Sequence, residues 1–204
     1  MNPPEYFLSE NSIDKNPFNQ FSSWYNLALE SNFIHPDAMT LATSSIQGKP
    51  SARIVLLKGF DEKGFIFYTN FLSRKGKELT ENPFASLSFY WDKIDKQVRI
   101  EGTVRKVALT ESEEYFHSRP RGSQLGALVS AQSSVIGSRE VMENVYKELE
   151  KKYAGKEIPL PDNWGGFILM PDCFEFWQSR ENRLHDRIRY SRTSSVWKIE
   201  RLAP

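Results

Sequence analysis

"MTLATSSIQGKPSARIVLLKGFDEKGFIFYTN", residues Met39 to Asn70, reads as three short strands separated by two turn signals, Gln47-Gly48 and Asp61 to Gly64. Strands joined by turns this tight run antiparallel, so the segment lays down one part of an antiparallel sheet. Helical signals frame it. Before it, Phe18, Phe21, Trp24, Tyr25, Ala28 and Leu29 follow a helical stripe from Asn16 onward, with Pro17 suited to the first turn. After it, "SRKGKELTENP" predicts a short helix that begins at Ser73 and stops at Asn82-Pro83.

The sheet resumes in "ASLSFYW" and "QVRIEGTVRKV". A helical middle follows: Thr110 with Glu113 has the pattern of a capping box, and the helix it opens runs into Pro120. Val141, Val145, Leu149 and Tyr153 mark a longer amphipathic helix bounded by Ser138 and Gly155. Past the linker "IPLPDNW" the chain returns to strands in "GGFILM", "CFEFWQ", "RLHDRIRY" and "VWKIERL". Strands at both ends around a helical insertion predict an α+β fold whose antiparallel sheet closes into a barrel. Residues 1–15 are expected to form a mobile N-terminal arm and residues 16–204 a single domain.

At 204 residues the chain can bury a sizeable core without disulfides. Lys plus Arg number 27 against 26 for Asp plus Glu, so no global field recruits nucleic acid or an anionic membrane, and any anion site must be built locally. Cys173 is the sole cysteine, which removes internal disulfides and Cys-rich zinc sites and fits a reducing compartment. "MNPPEYFLSE" has neither a basic n-region nor an apolar h-region, and no apolar run approaches membrane-spanning length. Together these features predict a soluble, cytoplasmic protein. His35, His117 and His185 are far apart and lack an H-E-x-x-H pattern, so no metal site is expected. Phosphate-binding G-x-x-x-x-G-K-[ST], dinucleotide-binding G-x-G-x-x-G and hydrolase G-x-S-x-G patterns are all missing.

What remains is cationic and aromatic. In "ARIVLLK", Arg53, Val55 and Leu57 share one strand face and Ile54, Leu56 and Lys58 the other, so a cation bounds each end of an apolar strand. Solvated strand ends look the same. "SRKGK" puts Arg74 and Lys75 at a helix start, where basic side chains are unfavourable unless an anion shares the positive dipole end. A frayed first turn is the plain alternative. Tyr115 and Arg119 share a helix face, with Ser123 just past Pro120, a set able to clamp a phosphate. His117 reads as a surface or packed histidine. Finally, "FEFWQSRENRLHDR", residues Phe174 to Arg187, aligns Arg183, His185 and Arg187 on one face if it is extended. Neighbours would then stand ~7 Å apart and the guanidiniums ~13 Å apart, repelling by roughly 1.3 kcal/mol, a cost that a bound anion or π-rich ligand offsets. A salt-bridged strand face would show the same spacing.

The run Phe174-Glu175-Phe176-Trp177-Gln178, followed after four residues by Arg183-Leu184-His185-Asp186-Arg187, closely resembles the signature of the pyridoxine (pyridoxamine) 5′-phosphate oxidase family. "RIVLLK", "FYTN", "SRK", "YFHSRPR", "QSS", "PLPDNWGGF" and "WKIERLAP" fall in the family's order, from about Pro17 to Pro204. Ser179 stands where family members often carry glycine, and the arm lacks arginines that some relatives place before the Glu-Tyr pair, here Glu5-Tyr6.

The resemblance implies a split β-barrel homodimer holding FMN in clefts between subunits. It implies oxidation of pyridoxine 5′-phosphate or pyridoxamine 5′-phosphate to pyridoxal 5′-phosphate, with oxygen reduced to hydrogen peroxide. Flavin contacts would be Arg53, Ile54, Val55, Leu56, Leu57, Lys58, Tyr68, Thr69, Arg74, Lys75, Gln97, Gln132, Ser133, Trp177 and Arg187. Substrate contacts would be Lys58, Tyr115, Arg119, Ser123, Arg183, Leu184 and His185, of which Arg183 and His185 lie nearest the chemistry. Arginine holds its proton too tightly to act as a base, so Arg183 is expected to orient substrate and balance charge. His185 is open to two roles, hydrogen bonding or proton abstraction. Rival readings are a non-catalytic flavin- or pyridoxal-phosphate-binding module, and a flavin oxidoreductase of the same fold supplied by a nicotinamide.

Overall fold

A computed structural model of the chain describes residues 7–194 and 196–204. Helix α1 (Pro17–Glu30) precedes strands β1 (Ala38–Ser44), β2 (Pro50–Leu56), β3 (Gly59–Asp61) and β4 (Gly64–Asn70). Helix α2 (Arg74–Glu81) leads to β5 (Phe84–Trp91) and β6 (Lys96–Lys106). Helices α3 (Leu109–Ser118), α4 (Arg121–Val129) and α5 (Arg139–Lys152) form the middle, and β7 (Trp164–Gln178), β8 (Asp186–Thr193) and β9 (Val196–Arg201) end the chain.

The strands form one antiparallel sheet in the order β2-β1-β5-β6-β7-β4-β3, with β8 and β9 continuing from β7. Strand β7 organises it. Along one edge it pairs with β6; along the other its first half pairs with β4, Trp164 opposite Asn70, and its second half with β8, Trp177 opposite Arg187. The sheet curls until the end of β2 meets β4, where the Lys58 N–H donates to the Ile66 carbonyl at 2.8 Å. The result is a split barrel with flanking helices.

Helix α1 lies against this barrel because its apolar stripe has nowhere else to go. Asn16 caps it, its Oδ1 accepting from the Phe18 N–H at 2.9 Å. Phe21 is fully buried with ring centroids 4.9 Å from Phe60 and Phe65 and 5.1 Å from Phe89. Each such aromatic contributes about 1.5–3 kcal/mol by leaving water. A second, smaller core of Phe116, Leu125, Ile158 and Trp164 forms where α3, α4 and α5 cover the start of β7.

Several expected boundaries differ. The three-strand segment contains four, because the chain bends at Leu57 and Lys58 before the β3–β4 hairpin. "GGFILM" and "CFEFWQ" are one strand: Pro171 donates no hydrogen bond, and the ladder absorbs it as a bulge between Glu101 and Gly102 of β6. Helix α3 is capped at Ala108, without a side-chain bond, so Thr110 and Glu113 form no capping box. Helix α4, directly after Pro120, went unread because its nine residues carry two glycines and little periodicity. Ser73 is the N-cap of α2, its Oγ accepting from the Gly76 N–H at 3.3 Å.

Of the stretch expected as an arm, residues 1–6 lie outside the described residues. Residues 7–15 lie against the barrel. Leu8 and Ile13 are buried, the Tyr190 hydroxyl donates to the Asp14 carbonyl at 2.6 Å, and Arg201 pairs with Glu10 at 2.9 Å.

Candidate active site

A cleft of about 610 Å³ opens between the sheet and the helical layer. Ile54, Val55 and Leu56 of β2, with Lys58 beyond it, and Tyr68 and Thr69 of β4 form the sheet side. Tyr115 and Arg119 from α3 and its end, and Ser123 from α4, form the facing side; Lys75 of α2 and Gln132 close one end. Lys58, Lys75 and Arg119 thus converge on one space, and none of the described residues lining it is a carboxylate. In a chain with a net charge of only +1, that is a local concentration of positive charge.

Each cation is held differently. Lys58 Nζ lies 3.0 Å from Asp37 at the rim. Lys75 is buried, its Nζ donating to Gln132 Oε1 at 3.0 Å and Thr69 Oγ1 at 3.2 Å; burial and then the nearby Arg53 charge lower its pKa. The Arg119 guanidinium stands 4.6 Å over the Trp164 ring, and its buried Nη1 has no hydrogen-bond partner among the described residues. Burial depresses its pKa, with Tyr115 opposing in part. A buried donor without an acceptor is costly, and an anion in the cleft would supply one. Beside it Tyr68, Tyr115 and Trp164 stack, Tyr68 and Tyr115 at 3.9 Å. Burial and the neighbouring Glu111, Tyr115 and Glu114 push the Tyr68 phenol up to about 12, so it remains a neutral donor near pH 7.

Arg53 and Arg74 meet at Glu78 rather than in the cleft. Arg53 lies 3.4 Å from Glu78 Oε2 and Arg74 Nε donates to Oε1 at 2.9 Å. Burial raises the Glu78 pKa, but hydrogen bonds from Ser51, Thr43 and Arg74 outweigh it and bring it to about 2. Leu57 is a core residue at 5% exposure and does not line the cleft. Ser133, at positive φ, follows Gln132 in an exposed loop.

Gln97, Trp177 and Arg187 lie side by side on β6, β7 and β8, in register across the ladder. The His185 ring stands 4.7 Å from Trp177, and Arg187 is tied to Glu175 at 2.8 Å and to the Ala203 carbonyl at 2.8 Å. The expected Arg183-His185-Arg187 row does not exist. Glu181–Arg183 is a 3₁₀ turn with positive φ at Asn182 and Arg183, and the strand begins only at Asp186. Arg180 and Arg201 both pair with Asp186, at 2.9 and 2.7 Å, fixing the foot of the turn. Arg183 and Leu184 are exposed.

None of this second cluster lines the cleft of its own chain. Trp164 and Trp177 are thirteen residues apart on β7, roughly 40 Å along an extended strand. Sequence reasoning also passed over Trp164, Asn70 and Ser130 in the cleft and Glu78 beneath the arginines. Glu78 was findable, lying four residues after Arg74 on a helix.

Residues 28–153 match the family model described as pyridoxamine 5′-phosphate oxidase, and residues 164–204 the one described as the pyridoxine 5′-phosphate oxidase C-terminal dimerisation region. A Gloeothece citriformis protein named pyridoxine/pyridoxamine 5′-phosphate oxidase is 56% identical over 97% of this chain and 92% of its own. The chloroplastic pyridoxine/pyridoxamine 5′-phosphate oxidase 1 of Arabidopsis thaliana is 52% identical over 97% of this chain and 38% of its own. Among solved structures, PhzG from Burkholderia lata in complex with tetrahydrophenazine-1-carboxylic acid superposes with a TM-score of 0.91 at 30% identity, covering 98% of both chains. With matched models spanning most of its length and a relative identical at more than half of the aligned positions, the chain belongs to the pyridoxamine 5′-phosphate oxidase family.

Proposed function

We propose that this chain is an FMN-dependent oxidase converting pyridoxine 5′-phosphate or pyridoxamine 5′-phosphate to pyridoxal 5′-phosphate. Two electrons and two protons leave the substrate and reduce oxygen to hydrogen peroxide; the amine additionally takes up water and releases ammonia. The observation that carries the reading is the carboxylate-free cleft on which Lys58, Lys75 and the orphaned Arg119 Nη1 converge. Two phosphorylated ring systems, a flavin and a B6 vitamer, suit a site that pairs cations with stacked aromatic rings.

When bound, FMN supplies the two-electron acceptor. Ile54, Val55 and Leu56 would offer backbone and apolar surface to it, with Tyr68, Thr69, Lys75 and Gln132 as polar partners. Arg53, Arg74 and Ser133 lie next to that end of the cleft, and Leu57 would contribute through its backbone. Lys58, Tyr115, Arg119 and Ser123 would grip the substrate phosphate, so that binding energy far from the reacting carbon orients it. Gln97, Trp177, Arg187 and the substrate-facing Arg183, Leu184 and His185 come from the second cluster. None of them lines the cleft of its own chain, and a homodimer that places the cluster of one subunit over the cleft of the other would complete the site. The match of residues 164–204 to a dimerisation region supports that arrangement.

His185 Nδ1 accepts the Arg180 N–H at 3.1 Å. The neutral ring then carries its proton on Nε2, a hydrogen-bond donor toward substrate rather than a base. The exposed Arg183 guanidinium would orient the substrate rather than act as a base.

An absorption spectrum of the purified protein, repeated under nitrogen after adding pyridoxine 5′-phosphate, tests the reading. Flavin bands that bleach with the B6 phosphate and recover in air with peroxide release are expected. Bleaching by NADPH alone would favour a nicotinamide-supplied oxidoreductase, and a flavin that neither reduces would favour a binding module.

A further inference from the structure

Glu78 is a buried carboxylate, 6% exposed, that the proposed reaction does not use. Its Oε2 accepts hydrogen bonds from Thr43 Oγ1 and Ser51 Oγ, both at 2.5 Å, and its Oε1 accepts from Arg74 Nε at 2.9 Å. The two arginines beside it are used unequally. Arg53 directs Nη1 to the Leu41 carbonyl at 3.2 Å and Thr43 Oγ1 at 2.6 Å, and Nη2 to Ser51 and Glu78. Its side chain is 20% exposed and nearly saturated, a half-buried strut. Arg74 gives Glu78 only Nε, and its side chain is 62% exposed, so both Nη groups remain for another acceptor.

Arg74 is also the first residue of α2, where the helix dipole disfavours a cation and favours an anion. A guanidinium fixed through Nε presents its outer fork in one orientation, the geometry suited to phosphate oxygens. A lone carboxylate here would repel a phosphate, but Arg53, Arg74 and Lys75 outnumber it, and Thr43 and Ser51 occupy its Oε2. Orientation therefore outweighs charge.

We propose that Glu78 is a positioning residue that holds Arg74 for the phosphate of the flavin, and so makes the chain select phosphorylated over unphosphorylated flavin. This rests on the FMN reading above and adds the residue that sets phosphate selectivity. Glu78→Asp keeps the charge but withdraws the acceptor by one methylene; Glu78→Gln keeps the Oε1 acceptor but removes the charge.

The test is fluorescence titration of the flavin-stripped full chain with FMN and with riboflavin, alongside a melting curve for each variant. Glu78→Asp is expected to weaken FMN about tenfold and leave riboflavin within about twofold, while Glu78→Gln stays within about threefold of the parent for both. In an Arg74→Ala background the Glu78→Asp effect on FMN should vanish, because the residue acts through that guanidinium. The reverse ranking of Asp and Gln, an equal loss of riboflavin affinity, or an undiminished effect without Arg74 would each overturn the proposal. A parent chain that binds no FMN would instead overturn the flavin reading, and this inference with it.

Discussion

Trp164 and Trp177 occupy opposite ends of one strand, the first packed beneath Arg119 in the cleft and the second against His185. The groups around Trp177 do not line the cleft of their own chain, so two crippled subunits should repair each other. Arg119→Ala and Arg183→Ala each remove one half. A heterodimer of the two, isolated through different tags, retains one intact site of two and should recover about half the parental activity. Activity no higher than that of the separate homodimers would place both halves in one subunit.

Arg119 and Arg183 should fail differently. Arg119 has a buried Nη1 without a partner among the described residues, and if it grips the substrate phosphate as proposed, Arg119→Ala should raise KM roughly 10- to 100-fold with a smaller effect on kcat. Arg183 is exposed on its turn, and the proposed reading puts it near the reacting carbon, so Arg183→Ala should lower kcat instead. Steady-state kinetics with pyridoxine 5′-phosphate decide; the same KM and kcat pattern in both variants would refute the division of roles.

Acid should release the Glu78 cluster. The Glu78 pKa is held at about 2, below the ordinary 4.5, so its contribution to stability is full above 4.5 and is lost as pH falls toward 2. Melting temperatures of the parent should therefore drop more steeply across that window than those of Glu78→Gln. Parallel curves would show that the carboxylate contributes nothing there.

Gly76 couples α2 to the end of β4 through close approach. A Cβ there would stand 2.3 Å from the Phe71 carbonyl oxygen, and backbone on both sides cannot yield cheaply. Gly76→Ala should cost about 1–3 kcal/mol in denaturant unfolding despite the higher helix propensity of alanine. A variant as stable as the parent would mean that the helix start is free to shift.

Short-range chemistry made much of this protein readable in advance. Asn16 with Pro17 and Ser73 with Gly76 begin helices by satisfying N–H groups a few residues away, and such bonds are written in neighbouring letters. The cleft residues from Lys58 to Ser123 were recognisable as a cationic and aromatic set from their types and the family's motif order. Misreadings fell where distant chain segments decide. Pro171 looked like a strand end, yet β6 supplies Gly102 opposite it and lets one strand continue through a bulge. Arg183 to His185 looked extended, yet the pairing of Asp186 with Arg180 and Arg201 supports a turn with positive φ at Asn182 and Arg183.

The sequence by itself determined which cationic and aromatic side chains this protein can gather and where α1 and α2 begin, because both follow from residue type and local hydrogen bonding. Only the tertiary structure decided that β7 is continuous, that it separates two halves of the expected site, and that Arg53 is a half-buried strut while Arg74 faces outward. Those outcomes depend on cross-strand register and on partners such as Glu78, Thr43 and Ser51, which meet through the sheet rather than along the chain.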